Sequence, residues 1–180
     1  LANHASMESH RATLLQLVER ASQVKTWAKA DALEKLLLNN RADKMLLFTH
    51  FRQTLDHLAQ RLSALGLNFV TYHGGLSITE KNAAIEHFEY DAQILLSTEA
   101  AGEGRNLQFC RTLVNFDLPW NPLRIEQRVG RIHRIGQSRP VEIYNLSAGG
   151  TIEDYLLDIL DRKVNMFELV IGEMDMLLGE

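Results

Sequence analysis

Residues 44–75 read KMLLFTHFRQTLDHLAQRLSALGLNFVTYHGG and contain two short apolar runs on either side of a helical pattern. The runs KMLLFT (44–49) and NFVTY (68–72) have the length and the apolar, partly aromatic content of buried strands. Between them leucines recur every three or four residues, which predicts an amphipathic helix that ends at Gly66 in a left-handed cap. A strand, a helix and a second strand in this order form the unit from which parallel sheets are built. The stretch therefore predicts an α/β fold.

The same alternation continues along the sequence. Three further runs have strand character: AQILLS (92–97), RTLVNF (111–116) and VEIYNL (141–146). Two helix starts are marked between them. Ser77 and Glu80 have the spacing of a capping box, and Asn121 is a predicted N-cap before Pro122 at the first helical position. Strands that alternate with helices predict an open parallel sheet with helices on both faces, a three-layer sandwich.

Size and composition indicate one folded domain with appendages. The chain has 180 residues, of which 46% are hydrophobic, and this is enough for one sizeable core. We expect a helical N-terminal extension over 1–40, broken near Trp27, and the α/β domain over 41–150. A C-terminal helix over 151–180 is expected to pack on the domain or on a partner. Because the first residue is Leu, the sequence is expected to be a piece of a longer protein.

Charge and cysteine content narrow the class of protein. The net charge of the chain is −4, but the charges are unevenly distributed. Between positions 124 and 139, five arginines and one glutamate give a local charge of +4. Attraction of polyanions by the net charge of the whole domain is therefore not expected. Cys110 is the single cysteine, so an intrachain disulfide is impossible and a reducing, cytoplasmic compartment is expected. No apolar run of roughly 18 residues and no signal-peptide pattern is present, which predicts no membrane partner.

In an open α/β sheet, ligands bind at the carboxyl ends of the strands, so the loops after the strands should carry the chemistry. These loops are rich in hydroxyl, Gly, His and Trp residues: THF (49–51), YHGG (72–75), STEAAGEGRN (97–106) and DLPWNP (117–122). Gly102 and Gly104 would let backbone N–H groups approach a phosphate, although a tight turn requires the same residue type. No pair of Cys or His residues has metal-ligand spacing, so no metal site is predicted.

The segment EQRVGRIHRIGQ (126–137) carries three arginines spaced three residues apart. On a helix Arg128, Arg131 and Arg134 project toward one broad side, where their repulsion favours a bound anion over an ordinary solvated face. Guanidinium groups match phosphate oxygens in a bidentate manner, which suits a triphosphate or a nucleic-acid backbone. The sequence has no G-x-x-x-x-G-K-[ST] phosphate loop of its own. The arginines are therefore expected to act on a nucleotide held by a second domain.

Five motifs in order resemble the second RecA-like lobe of superfamily-two helicases: LLFTHF, YHGGLS, LLSTEAAGEGRNLQ, VNFDLPWNP and EQRVGRIHRIGQ. Within that group, STEAAGEGRNLQ, LPWNP and RIHRIGQ look like the Swi/Snf-type ATPases, and EGRN is similar to a bacterial, RNA-polymerase-associated branch. The resemblance covers about residues 30–172. It implies a RecA-like fold and the use of ATP and Mg²⁺, with the Mg²⁺ held by a first RecA-like lobe of the same parent chain.

The resemblance also assigns roles to individual residues. Arg131 and Arg134 match the two arginines that reach across the cleft to ATP and act in catalysis. Nucleotide-binding positions are matched by Gly104, Asn106 and Gln127. Positions that contact the nucleic acid are matched by Thr49, His50, His73, Gly74, Thr98 and Trp120. Arg128 is assigned to the same group through contact with a phosphate or with the interface between lobes.

These observations predict the second motor lobe of an ATP-dependent translocase on double-stranded DNA, inactive without its partner lobe. The expected partners are double-stranded DNA, the first lobe, and an RNA polymerase or another DNA-bound complex in the bacterial nucleoid. Two alternatives stay open. One is an RNA helicase lobe that separates strands, and the other is an interaction module that kept the fold and lost the activity.

Overall fold

The computed structural model describes residues 2–23, 27–40, 43–98, 107–121, 123–132, 140–160 and 162. The helices are α1 (Ala2–Ser22), α2 (Ala28–Asn39), α3 (Arg52–Ala64), α4 (Ile78–Tyr90) and α5 (Leu123–Ile132), and residues 152–160 are also helical. The strands are β1 (Met45–Phe48), β2 (Phe69–Tyr72), β3 (Ile94–Ser97), β4 (Thr112–Asn115) and β5 (Glu142–Asn145). All five strands predicted from the sequence are therefore confirmed, each shortened to four residues.

The strands form one parallel sheet in the order β2, β3, β1, β4, β5. The central strands β1, β3 and β4 are buried along their whole length. Strands buried on both faces require apolar side chains at successive positions, which explains why these runs are continuous rather than alternating. The predicted open parallel sheet is confirmed.

Alternate residues of the strands face two separate cores. Met45 and Leu47 belong to a cluster with α2 and α3, whereas Leu46 and Phe48 belong to a cluster with α4 and with Ile132 of α5. The period of two along a strand assigns neighbouring side chains to opposite faces. Helices therefore cover both faces of the sheet, as the three-layer prediction required.

Local signals at three helix ends are confirmed. Gly66 has φ 66°, and Leu67 N–H donates to the Leu62 carbonyl at 3.1 Å, the bond of a left-handed C-terminal cap. Ser77 and Glu80 form the predicted capping box at the start of α4. Asn121 Oδ1 accepts from the N–H of Leu123 at 3.1 Å and caps α5.

The appendages differ in how they relate to the sheet. Ala30, Leu33 and Leu37 of α2 are buried in the first core, so α2 belongs to the sheet domain, whereas the sequence placed it in the N-terminal extension. The side chains described over 10–22 of α1 are exposed. The helix over 152–160 packs on α5 through Leu118, Ile125, Leu156 and Leu160.

Within the part of the chain that the structure describes, no helix combines the length and the apolar character that crossing a membrane demands.

Candidate functional site

The connections of the sheet reverse direction between β1 and β4. Helix α3 leads from β1 to the strand β2 at one edge, and α5 leads from β4 to the strand β5 at the other. Adjacent parallel strands whose connections run in opposite directions leave an opening at their carboxyl ends, where ligands of such sheets bind. The loops 49–51 and 116–121 lie at this opening, so the fold places two of the predicted loops side by side.

Asp117 organises the opening. Its Oδ2 accepts hydrogen bonds from Thr49 Oγ1 at 2.6 Å and from the backbone N–H of His50 at 2.9 Å. Lys29 Nζ, from α2, lies 3.9 Å from the other carboxylate oxygen. Thr49 is fully buried, so its hydroxyl faces Asp117 and not the surface. The structure thus gives Thr49 an internal partner, and the exposed His50 lies beside it. The contacts with nucleic acid predicted for both residues stay predictions.

Lys29 extends this cluster to the C-terminal helix. Its Nζ donates to both carboxylate oxygens of Glu153, at 2.6 and 2.8 Å, and lies 5.2 Å from the centre of the Phe116 ring. The side chain of Lys29 keeps only 13% of its surface exposed. Because charge-assisted hydrogen bonds are strong where water is scarce, Lys29 joins α2, the β4 loop and the helix over 152–160 at one point.

His73 supports the loop after β2 from inside. It is 9% exposed, and its Nδ1 accepts the N–H of Gly75 at 3.2 Å. Burial lowers the pKa of His73 below its ordinary value, and the positive charge of Arg52 lowers it further. The neutral imidazole therefore shapes the turn, and the exposed Gly74 presents its backbone to solvent.

Thr98 and Trp120 flank the opening on either side. The N–H of Thr98 donates to the carbonyl of Tyr72 at 3.0 Å, which draws the ends of β2 and β3 together. Trp120 is 73% exposed although it is the largest side chain of its loop. Phe51 is 60% exposed and packs edge-on against His50, with the ring centres 4.8 Å apart. Exposed aromatic rings beside a polar crevice are suited to ligand contact.

The arginines of α5 do not share one environment. Arg128 is 4% exposed and lies on the face that also buries Ile125 and Ile132. Arg131 is half-buried, and among the described residues its Nε is a buried nitrogen without a hydrogen-bond partner. Gln127 is exposed. The guanidinium of Arg128 is therefore enclosed within the fold, and its contact with a phosphate or with the interface between lobes stays a prediction. Arg131 keeps a donor that no described residue accepts.

Gly104, Asn106 and Arg134 lie outside the described residues, so their predicted roles stay predictions. In the described ranges no group of three or more His, Cys, Asp or Glu side chains could hold a metal ion. Sequence reasoning missed Asp117 and Lys29, because a carboxylate in a loop and a lysine in a helix carry no signal until the fold brings them together. The position of Asp117 directly after a buried strand was the one available hint.

Comparison with known proteins is consistent across sequence and structure. The model of the helicase conserved C-terminal domain matches residues 28–136. The uncharacterized ATP-dependent helicase YqhH of Bacillus subtilis (strain 168) is 42% identical over 170 residues, which cover 92% of this chain and 30% of that protein. The RNA polymerase-associated protein RapA of Photobacterium profundum is 38% identical over 151 residues, 79% of this chain and 16% of that protein. The chain thus spans less than a third of either relative.

Two solved structures share the fold. The C-terminal part of the Fun30 ATPase domain has a TM-score of 0.67 and 32% identity, covering 73% of this chain and 44% of that one. The E. coli DEAD-box protein SrmB, bound to regulator of ribonuclease activity A, has a TM-score of 0.59 and 25% identity, covering 66% of this chain and 69% of that one. The predicted RecA-like fold is therefore confirmed.

Proposed function

Since this chain belongs to the family of helicase conserved C-terminal domains, we propose that it is the second motor lobe of an ATP-dependent translocase on double-stranded DNA. In this proposal ATP binds between this lobe and a first RecA-like lobe of the parent chain. Arg131 and Arg134 contact its phosphates, and the loops at the carboxyl edge of the sheet contact one DNA strand. The similarity to proteins named as ATP-dependent helicases supports the use of ATP.

The Nε donor of Arg131, which has no partner among the residues that the structure describes, carries the proposal. A buried nitrogen without a partner costs roughly 1–3 kcal/mol, and more when the group is charged, so a fold keeps such a group where a ligand completes it. A guanidinium cannot deprotonate near neutral pH and matches phosphate oxygens, so a phosphate group is the ligand that fits. The similarity to proteins named as ATP-dependent helicases favours the phosphates of ATP. When bound, ATP would supply the phosphoryl group whose transfer drives motion, and Arg131 would stabilise the negative charge that develops on it.

The described residues offer no carboxylate cluster for Mg²⁺. In nucleotide-hydrolysing motors the metal is held by carboxylate and hydroxyl groups near the phosphate loop. We therefore assign Mg²⁺ to the first lobe, as the sequence resemblance also implies. In this proposal the lobe contributes the positive charges of its arginines, and the first lobe contributes the ligands of the metal.

The carboxyl edge of the sheet supports the nucleic-acid part of the proposal. His50, Gly74 and Trp120 are exposed there, and Thr98 is half-buried beside them. Backbone N–H groups and small polar side chains are the usual partners of phosphate oxygens, and such contacts position a duplex without reading its sequence. The STEAAGEGRNLQ and LPWNP motifs favour double-stranded DNA. By the same reasoning, an RNA polymerase or another DNA-bound complex is a proposed partner of the parent protein.

The experiment uses the full-length parent protein and compares wild type with Arg131→Ala and Arg124→Ala. Arg124 is an exposed arginine in the first turn of the same helix and serves as the matched control. ATP hydrolysis is measured with duplex DNA, with single-stranded RNA and without nucleic acid. We expect stimulation by duplex DNA, a loss of about 10³- to 10⁵-fold in Arg131→Ala, and wild-type rates in Arg124→Ala.

Each alternative predicts a different result. Stronger stimulation by single-stranded RNA than by duplex DNA would identify an RNA helicase lobe. Absence of hydrolysis by the wild-type parent under every condition would identify an interaction module that retains only the fold. Equal rates in wild type and Arg131→Ala would show that the arginine does not act on the nucleotide.

A further inference from the structure

We infer that Arg128 is a positioning residue for Arg131: its buried guanidinium fixes α5 to the carboxyl end of the sheet and so sets the direction of the arginine one turn further on. The inference rests on the proposed function, because it concerns the arginine assigned to the nucleotide. The resemblance implied for Arg128 a contact with a phosphate or with the interface between lobes, and we propose the positioning role in its place.

The guanidinium of Arg128 has polar and aromatic partners among the described residues. Nη1 donates to the side-chain oxygen of Asn115 and, at 3.4 Å, to the backbone carbonyl of Asp117. The carbon of the guanidinium lies 4.7 Å from the centre of the Phe48 ring. A planar cation stacked on an aromatic ring and hydrogen-bonded at its edge has little freedom to rotate. Arg128 therefore fixes α5 against β1 and β4 at the same time.

Asn115 is itself fixed by a second side chain. It is fully buried, and its Nδ2 donates to Asn145 Oδ1 at 2.8 Å. With the amide N–H₂ directed to β5, the amide oxygen is directed to Arg128. The hydrogen-bond chain thus runs from α5 through the end of β4 to the end of β5, across the edge of the sheet that forms the candidate site.

The other buried side chains of α5 are apolar. Ile125 packs in the cluster with the helix over 152–160, and Ile132 packs in the core under α4. Apolar contacts are not directional and tolerate small shifts of a helix, whereas hydrogen bonds to a charged group specify one orientation. Arg131 has no described partner for its Nε, so this nitrogen does not fix the direction of the side chain. The orientation of Arg131 therefore depends on that of α5, which Arg128 specifies.

The same network reaches the loop after β1. Asp117, whose carbonyl accepts from Arg128, binds Thr49 and the backbone of His50 through its carboxylate. The arginine helix and the predicted nucleic-acid loop are thus fixed to one residue of the β4 loop. Loss of Arg128 should for this reason affect the DNA-stimulated rate more than the affinity for ATP.

The test is a double-mutant cycle in the full-length parent, with Arg128→Met, Arg128→Lys, Arg131→Ala and the two double variants. We expect Arg128→Met to lower the DNA-stimulated kcat by roughly 10- to 100-fold, since a misplacement of about 1 Å in a catalytic group has an effect of that order. The KM for ATP should change by less than about threefold, because removal of an interaction made only in the transition state lowers kcat and leaves KM. Arg128→Lys keeps the charge over Phe48 and should retain an intermediate kcat.

The combination with Arg131→Ala distinguishes positioning from stability. If Arg128 acts through Arg131, neither substitution at Arg128 lowers kcat further once Arg131 is absent. Rates are taken at a temperature where thermal melts show every variant folded, and Arg128→Lys carries the test should Arg128→Met not fold. The inference would be overturned if the fold-losses in kcat of the Arg128 and Arg131 variants multiplied in the double variants. It would also be overturned if the Arg128 variants, equally folded, had the kcat of the wild type. Failure of the proposed function would appear separately, as a wild-type rate in Arg131→Ala alone.

Discussion

The backbone N–H of Leu107 donates a hydrogen bond of 3.0 Å to the carbonyl oxygen of Arg131. Leu107 is buried and directly follows the segment 99–106, which contains the predicted nucleotide-binding positions Gly104 and Asn106. Leu107, which belongs to the STEAAGEGRNLQ motif, is therefore tied to the last turn of α5. The two motifs assigned to the nucleotide meet through the backbone, so a side-chain change at Leu107 would leave this bond possible, whereas displacement of α5 would stretch it.

Gly66 and Gly130 predict opposite effects of the same substitution. Gly66 has φ 66°, where an added Cβ is strained, so Gly66→Ala should lower the free energy of unfolding by about 1–2 kcal/mol. Gly130 lies in the exposed face of α5, and a Cβ there meets no described atom within 4 Å. Gly130→Ala should therefore raise the free energy of unfolding by roughly 0.5–1 kcal/mol. Urea unfolding of the 180-residue chain measures both.

The same substitution at Gly130 tests the lobe interface in the parent. If another backbone or a ligand approaches α5 closely there, Gly130→Ala should stabilise the lobe and yet reduce ATP hydrolysis. Unchanged hydrolysis in a stabilised variant would show that nothing approaches this face.

His73 predicts a loss of stability at acid pH. Its pKa is lowered in the folded state by burial and by Arg52, while Asp56 and Glu80 oppose this and Lys81 adds to it. Above about pH 6.5 the imidazole is neutral in both states and its contribution is complete. As the pH falls below that value, the unfolded chain binds a proton first, so the free energy of unfolding decreases until the folded pKa is passed. Melting curves between pH 8 and pH 5 should show a shallower decrease for His73→Gln, and identical slopes would contradict the assignment.

We expect the thiol of Cys110 to react with a thiol reagent only after the chain unfolds. It is fully buried, and burial raises the pKa of the thiol to about 12. The thiolate is the reactive form, so labelling by an aromatic disulfide reagent at pH 8 should be slow in the native chain and fast in denaturant. Rapid reaction of the native protein would show that the β4 region opens. Since Cys110 is the single cysteine of the sequence, all labelling of the chain reports on this thiol.

We expect removal of the Asp117 carboxylate to lower the free energy of unfolding more than removal of a surface carboxylate does. Asp117→Ala leaves the buried hydroxyl of Thr49 and the N–H of His50 without their acceptor, and should lower the free energy of unfolding by about 1–3 kcal/mol. The matched control is Asp56→Ala, which removes an exposed pair with Arg52 and should cost less than about 1 kcal/mol. Equal costs in urea unfolding would mean that Asp117 does not organise the opening.

The sequence by itself determined the sheet and its helices, because hydrophobic period and helix caps act over a few neighbouring residues. The five strands, the capping box of Ser77 and the left-handed Gly66 are all local consequences of this kind. The sequence also determined the family, because each of the five helicase motifs is a continuous stretch of residues that can be identified without the fold. Whether a helix belongs to the N-terminal extension or to the domain depends on contacts with distant residues, so local signals did not predict that α2 is part of the core.

Only the tertiary structure decided which polar side chains face inward. Arg128 and Arg131 are equivalent in spacing. Arg128 is hydrogen-bonded inside the sheet edge, whereas Arg131 keeps a nitrogen that has no partner in the described part of the chain. Thr49 likewise faces Asp117, which lies far along the chain from it. Burial and pairing of this kind depend on contacts between segments distant in sequence, and on a sheet order in which β1 lies beside β4. No periodicity within one segment carries that information.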